Sequence, residues 1–338
     1  MLRCARLGLA IVLLGLPTPG AAAGALQPLP DFGPNPGNLD AFVHVPAGVG
    51  PGAPLVVALH GCSQRASDFA DATGLDALAD AVPFVLLLPQ QREANNPRRC
   101  FNFFDRTHNR PGRGESGSIA AMIDHVEATF ATDPARVFAL GLSAGGGMTA
   151  VLLANDPERF AGGGILAGVP FDCNRPGFWN AGLWWALATF VGQGAAASLS
   201  CGIFGYAPVD RTPRDWGDAV RAAPETAPAT WPVVSIWQGE ADATVHPLNR
   251  RELIEQWTDV HAIDSTPDQV ERIGPIRREV FADATGRVRV EAWQVPDLGH
   301  AAPIDPAGEP ACGIEAPHAE DARICAVREI ARFWGLVP

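Results

Sequence analysis

The stretch Arg136-Val137-Phe138-Ala139-Leu140-Gly141-Leu142-Ser143-Ala144-Gly145 runs an apolar segment straight into the string G-x-S-x-G. The residues that follow, through Met148 to Ala154, have the composition of a helix. A strand that turns at once into a helix leaves room only for tiny side chains around the turn. Glycines at 141 and 145 meet that need, because a Cβ there would clash and the serine between them must hold a strained backbone. Such a turn lifts the serine hydroxyl clear of the sheet, which makes Ser143 the candidate nucleophile.

Working outward, the flanking segments alternate between strand and helix. Residues 41–46 alternate like a short strand, after a Pro- and Gly-rich entry at 26–38. Residues 54–60 form a continuous apolar run, the pattern of a strand buried on both faces. A helix is expected over 66–81, a second buried strand over 83–88 and an irregular polar segment over 90–114. Ile119, Met122, Ile123, Val126 and Phe130 then share one helical face. Further strands are expected at 162–169, 233–237 and 287–295, with a closing helix over 321–334. Strands alternating with helices imply a doubly wound, mostly parallel sheet, and with the elbow at Ser143 they point to an α/β-hydrolase fold.

Residues 170–231 break the alternation. They hold Trp179, Trp184, Trp185, Phe190, Phe204, Tyr206 and Trp216 among many Ala and Gly residues, and they are too long for an ordinary connection. The segment reads either as a lid-like insertion over the site or as an extra layer that hides its aromatics in the core. On the first reading Trp184, Trp185 and Tyr206 are the candidate substrate contacts.

A serine hydroxyl is a weak nucleophile and needs a base and a group that orients the base. In this fold the order is serine, acid, histidine, with acid and base on loops after late strands. The segment Gly239-Glu240-Ala241-Asp242 follows one late strand, and Pro296-Asp297-Leu298-Gly299-His300 follows the next. Asp242 and His300 are thus the expected acid and base, with Glu240 as the rival acid. His108 and His125 precede the serine, His246 is expected to begin a helix, and His261 and His318 fall on or near helical segments. An oxyanion hole needs two backbone N–H groups, expected from Ala144 after the nucleophile and Cys62 in the early loop His60-Gly61-Cys62-Ser63-Gln64.

Arg3 and Arg6, the apolar run 7–16 and Ala21-Ala22-Ala23 have the form of an export signal, so residues 1–23 are expected to be removed and 24–338 to form one catalytic domain. The apolar run is too short for a permanent membrane anchor. The remaining cysteines, Cys62, Cys100, Cys173, Cys201, Cys312 and Cys325, are even in number and suggest disulfides in an oxidising compartment, although six permit 15 pairings. A Cys62–Cys100 pairing would pin the oxyanion loop. A metal site is the rival reading, but no C-x-x-C or H-x-x-x-H spacing supports one. The net charge of −12, without basic clusters, argues against nucleic acid or anionic membranes as partners. All 25 basic residues are arginine, which excludes a lysine Schiff base or a Ser-Lys dyad.

Several blocks resemble the polyhydroxybutyrate depolymerase family of esterases, which is related to feruloyl and acetylxylan esterases. They are Leu59-His60-Gly61-Cys62-Ser63-Gln64, Arg99-Cys100-Phe101-Asn102-Phe103-Phe104, the run from Asp133 into the elbow, Ala167-Gly168-Val169-Pro170-Phe171-Asp172-Cys173, Trp237-Gln238-Gly239-Glu240-Ala241-Asp242 and Gly299-His300-Ala301. The resemblance spans most of residues 55–335. It implies Ser143, Asp242 and His300 as a triad, Cys62 and Ala144 as oxyanion donors, attack on an ester carbonyl through an acyl-enzyme, and no cofactor. Many members carry an aromatic shortly after the histidine, where this chain reads His300-Ala301-Ala302-Pro303. No Thr/Ser-rich linker or polymer-binding module follows Trp334, which favours oligomers, amorphous polymer or small esters unless the aromatic insertion supplies a surface. The expected partner is an ester substrate: a hydroxyalkanoate polymer or oligomer, or else a feruloyl or acetyl ester of plant polysaccharide. A monomer is expected. A hydrolase-fold binding protein without chemistry is the contrasting class, and the intact Ser143, Asp242, His300 set speaks against it.

Overall fold

A computed structural model of the protein describes residues 26–175 and 193–337. Residues 1–23, expected to be an export signal, therefore lie outside the described residues, as do Trp179, Trp184, Trp185 and Phe190.

The elements run β1 (Gln27–Pro28), β2 (Asp40–His44), β3 (Leu55–Leu59), α1 (Ala66–Thr73), α2 (Leu75–Ala81), β4 (Val85–Gln90), α3 (Gly114–Phe130), β5 (Val137–Leu142), α4 (Ala144–Asn155) and β6 (Gly162–Leu166). After the undescribed stretch come α5 (Gln193–Ser200), α6 (Pro213–Arg221), β7 (Val233–Gly239), α7 (Asn249–Val260), β8 (Gln269–Ile273), β9 (Ile276–Ala282) and β10 (Val288–Val295). β11 (Ala302–Ile304), β12 (Ala319–Asp321) and α8 (Ala326–Phe333) complete the chain.

Ten strands form one sheet in the order β1-β2-β4-β3-β5-β6-β7-β10-β9-β8. The six strands from β4 to β10 in that order run parallel, and the strands outside them are antiparallel. β3 shows why a central strand reads as an unbroken apolar run. Leu55, Val57 and Leu59 join a core with Ile119, Met122 and Met148 on one face. Val56 and Ala58 join a second core with Phe69, Leu78 and Ile330 on the other. Both faces are covered by helices, so alternation disappears from the sequence.

Two expectations need correction. The helix over 66–81 is two helices, because Gly74 turns left-handed at φ 73° and a Cβ there would stand 2.6 Å from the Gly313 nitrogen. The closing helix begins only at Ala326: residues 319–321 instead pair with β11 as a short strand. The hairpin β8–β9, which caps one edge of the sheet, leaves no signal in the sequence, since β8 is exposed along its whole length and carries no burial pattern.

The insertion is of mixed character. Trp216 on α6 is fully buried against α7, where its indole Nε1 donates to Glu252 at 2.8 Å, so this part is core. Phe204 and Tyr206 are exposed. Among the described residues no helix is long and apolar enough to cross a membrane.

Candidate active site

The turn between β5 and α4 has the strain its sequence requires. Ser143 sits at φ 58°, ψ −119°, a conformation L-residues rarely adopt. Its N–H donates to the Leu166 carbonyl at 2.9 Å, and its carbonyl accepts from the Gly147 N–H at 2.9 Å, which hold the turn from both sides. A Cβ on Gly145 would stand 2.1 Å from the Leu59 carbonyl oxygen, so only glycine lets α4 start this close to β3. Gly141 faces the same limit, its Cβ lying 2.4 Å from the Gly145 backbone.

The acid and histidine loops are stitched together by backbone. Glu240 N–H donates to the Val295 carbonyl and Ala241 N–H to the Leu298 carbonyl, both at 3.0 Å. Asp242 is buried, and every partner of its carboxylate is a donor. Oδ1 accepts from the Thr244 and Val245 N–H groups at 2.8 Å each, and Oδ2 accepts from Gln238 Nε2 at 3.0 Å. The same Oδ2 lies 2.8 Å from His300 Nδ1. An oxygen surrounded by donors makes His300 Nδ1 a donor too, which leaves Nε2 as the ring's lone-pair nitrogen. Glu240, the rival acid, pairs instead with Gln294 and is exposed.

Ser143 and His300 line one cavity of about 490 Å³, together with Cys62 and Ala144. Its walls are mainly apolar, with Phe103, Phe104, Leu142, Val169, Ile203, Phe204 and Val245. Phe204 and α5 residues bring the insertion into that wall, whereas Tyr206, also exposed, does not line the cavity. Trp184 and Trp185 lie outside the described residues.

Cys62 and Ala144 both line that cavity, and neither backbone N–H donates to a protein acceptor among the described residues. Ala144 is the first residue of α4, where an N–H has no acceptor within the helix. The Cys62 loop is fixed on every side. Gly61 N–H donates to Gln64 Oε1 at 2.8 Å, Ser63 N–H donates to the Arg98 carbonyl at 2.6 Å, and a disulfide joins Cys62 to Cys100. Closing a loop of sequence separation 38 stabilises by roughly 4 kcal/mol. Two more disulfides, Cys173–Cys201 and Cys312–Cys325, use the other four cysteines. The first clips the insertion next to the cavity.

Beneath the loop lies His60, fully buried and held by burial well below the usual histidine value, at about 4. Its Nδ1 is 2.7 Å from the Gly61 carbonyl, to which it donates, and its Nε2 accepts from the Gln91 N–H at 3.1 Å. A neutral imidazole thus braces the turn that presents the Cys62 amide. Of the other histidines, His261 caps α7 and contacts the Pro232 carbonyl, and His246 stands in the turn before that helix.

His318 departs from its sequence reading. It lies before β12 rather than near a helix, lines the cavity, and places its Nδ1 3.1 Å from the His300 carbonyl with the two rings edge to face at 5.8 Å. It was missed because 321–334 read as one helix. Gln238 and Gln64 were also not singled out, although Gln238 lies four residues before Asp242, at the end of the strand that delivers it. Among the described residues Asp210, Glu252 and Glu255 form the one acidic group with ligand spacing, but Arg251 pairs with all three.

Comparison with known proteins identifies the family and the fold. The sequence model of the family described as "Esterase PHB depolymerase" matches residues 40–177. Poly(3-hydroxyalkanoate) depolymerase C of Paucimonas lemoignei is 38% identical over 315 residues, covering 93% of this chain and 70% of the relative. An acetylxylan esterase of Coprinopsis cinerea is 31% identical, covering 86% of this chain and 72% of that protein. The solved acetyl xylan esterase from Aspergillus awamori superposes with a TM-score of 0.73 at 22% identity, over 93% of this chain and all of that one, which shows the same fold. With its α/β-hydrolase fold, the chain belongs to the PHB depolymerase esterase family and is a carboxylic ester hydrolase.

Proposed function

We propose that the protein is an exported serine esterase that cleaves 3-hydroxyalkanoate esters, polymeric or oligomeric, with Ser143 as nucleophile, His300 as base and Asp242 as its orienting acid. The observation that carries the reading is the buried Asp242–His300 pair at 2.8 Å, whose histidine shares one apolar cavity with a serine on a strained turn. His300 Nε2 takes the Ser143 proton as Oγ attacks the ester carbonyl, and Asp242 steadies the imidazolium that forms. Negative charge on the carbonyl oxygen is met by the Cys62 and Ala144 N–H groups, already held in place and needing no reorganisation. Collapse expels the alcohol, which takes its proton from His300. Water then repeats the sequence on the acyl-enzyme and frees the acid.

The hydroxyalkanoate substrate is favoured by the greater identity to the Paucimonas lemoignei depolymerase than to the acetylxylan esterase. Three disulfides fit an oxidising compartment outside the cytosol, in keeping with removal of residues 1–23 on export.

The test is clearing of an amorphous polyhydroxybutyrate suspension by a preparation that hydrolyses p-nitrophenyl butyrate. Ser143→Ala is expected to lower turnover on the order of 10⁴-fold or more while the fold survives. Retained activity in that variant overturns the nucleophile assignment. Activity on the small ester without clearing, together with release of acetate or ferulate from polysaccharide esters, moves the substrate to the acetylxylan or feruloyl class.

A further inference from the structure

The cavity has a polarity that ester hydrolysis alone does not require. The chain carries a net charge of −12, yet none of the described residues lining the cavity is a carboxylate. Its chargeable groups are Arg98, His300 and His318. His300 is engaged by Asp242, and His318 turns its Nδ1 to the His300 carbonyl. Arg98 is different. Its guanidinium has no hydrogen-bond or ion-pair partner among the described residues, whereas nearby Arg92 is tied to Asp40 and Arg99 to Glu93 and the Ser63 carbonyl.

The backbone that carries this cation is tied to the oxyanion loop. Arg98 N–H donates to Asn96 Oδ1 at 3.0 Å, its carbonyl accepts from Ser63 N–H, and Cys100 two residues on is bonded to Cys62. The base of the side chain is therefore fixed relative to the amide proposed to stabilise the oxyanion.

We propose that Arg98 binds the free carboxylate at the end of a hydroxyalkanoate oligomer, so that the ester next to that end is presented to Ser143. The inference rests on the hydroxyalkanoate reading above and names a residue that selects among such substrates. A guanidinium takes a carboxylate in a two-pronged, planar geometry that few other groups match. In a 3-hydroxyalkanoate the terminal carboxylate is separated from the ester-bearing carbon by a single methylene. Both groups can thus lie within one cavity of about 490 Å³. Water adds across that ester, releasing one hydroxy acid as the alcohol-side product and a chain one unit shorter with a new carboxylate end. That end is again a ligand for Arg98. An acetyl or feruloyl ester of a neutral sugar offers no such anion.

The experiment compares the 3-hydroxybutyrate dimer as free acid and as methyl ester, for the wild type, Arg98→Gln and Arg98→Lys, with p-nitrophenyl butyrate as a check that each preparation is active. For Arg98→Gln the ratio of KM for the acid to KM for the methyl ester should rise about tenfold, the scale of a partly screened charge-assisted hydrogen bond. Arg98→Lys, which keeps the charge but loses the fork, should fall between. Added salt should raise the same ratio in the wild type and leave it flat in Arg98→Gln. Equal changes for acid and methyl ester, or no change in either, overturn the proposal, because Arg98 then only shapes the wall. A wild type that turns over p-nitrophenyl butyrate but neither form of the dimer overturns the hydroxyalkanoate reading, and the Arg98 assignment falls with it.

Discussion

Gly145→Ala adds one carbon at the point where the elbow, the central sheet and the oxyanion loop meet. The new Cβ would stand 2.1 Å from the Leu59 carbonyl oxygen and 2.7 Å from that of His60. Both contacts are backbone, so no side chain can swing aside. Restoring an ordinary contact of about 3.5 Å requires β3 and α4 to part by more than about 1 Å. β3 leads directly into Gly61 and Cys62, and α4 begins with Ala144. The displacement therefore opens the gap between the two candidate oxyanion amides and shifts Ser143. Overpacking of this kind costs roughly 1–3 kcal/mol, or roughly 2–6 °C in Tm for a domain this large. A misplacement near 1 Å in the reacting groups lowers kcat by about 10²-fold. Thermal unfolding and p-nitrophenyl butyrate turnover read the two effects. Gly50→Ala serves as control, since its Cβ would meet nothing within 4 Å. A Gly145→Ala enzyme with wild-type Tm, and with kcat within about threefold, a barrier change under about 1 kcal/mol, would refute the packing account of the elbow.

Asp242→Asn should lower kcat on the order of 10⁴-fold, because an amide turns the wrong face to His300 Nδ1; Glu240→Gln should change it little, since Glu240 pairs with Gln294. The reverse pattern would exchange the acid. Glu115 provides a stability test. Burial pushes its carboxyl up to about 7, against an ordinary 4.5, while it accepts from Asn102 N–H and Nδ2 at 2.7 Å each and from Gln91 Nε2 at 2.5 Å. The folded state thus holds this proton more tightly than the unfolded chain. The resulting stabilisation is complete below pH 4.5 and is lost as pH rises through 7. Relative to Glu115→Gln, the wild type should lose on the order of 3 kcal/mol of unfolding free energy between pH 4.5 and 8, measured by urea titration. His60 and His261 titrate alike in the wild type and the variant and cancel, and His108, whose Nδ1 lies 3.5 Å from Glu115 Oε1, is replaced by Gln in both so that its titration drops out. A difference that stays constant with pH would mean Glu115 is ionised throughout.

Local rules made much of the molecule legible. The elbow could be read because its constraint lies within five residues: the strand must end, the serine must strain and the flanking residues must lack a Cβ, whatever surrounds them. Buried central strands announced themselves as unbroken apolar runs, since helices cover both their faces. The order of acid and histidine after late strands led to Asp242 and His300 as residues to test. Elements that depend on distant partners were not legible. Gly74 divides a helix because Gly313 presses against it, and residues 319–321 extend because β11 offers them a partner. The exposed edge strand β8 has no burial to imprint a period on its residues.

The chain by itself determined the strained turn at Ser143, the parallel core and the residue types that can carry ester chemistry, because those follow from steric limits and burial over short stretches. Only the tertiary structure decided that Asp242 rather than Glu240 meets His300, that His318 stands beside it, and that Trp216 belongs to the core while Phe204 faces the cavity. Those outcomes depend on which loops touch across the ends of neighbouring strands. Contacts between residues dozens of positions apart leave no periodic trace in the sequence, and three-dimensional packing alone selects them.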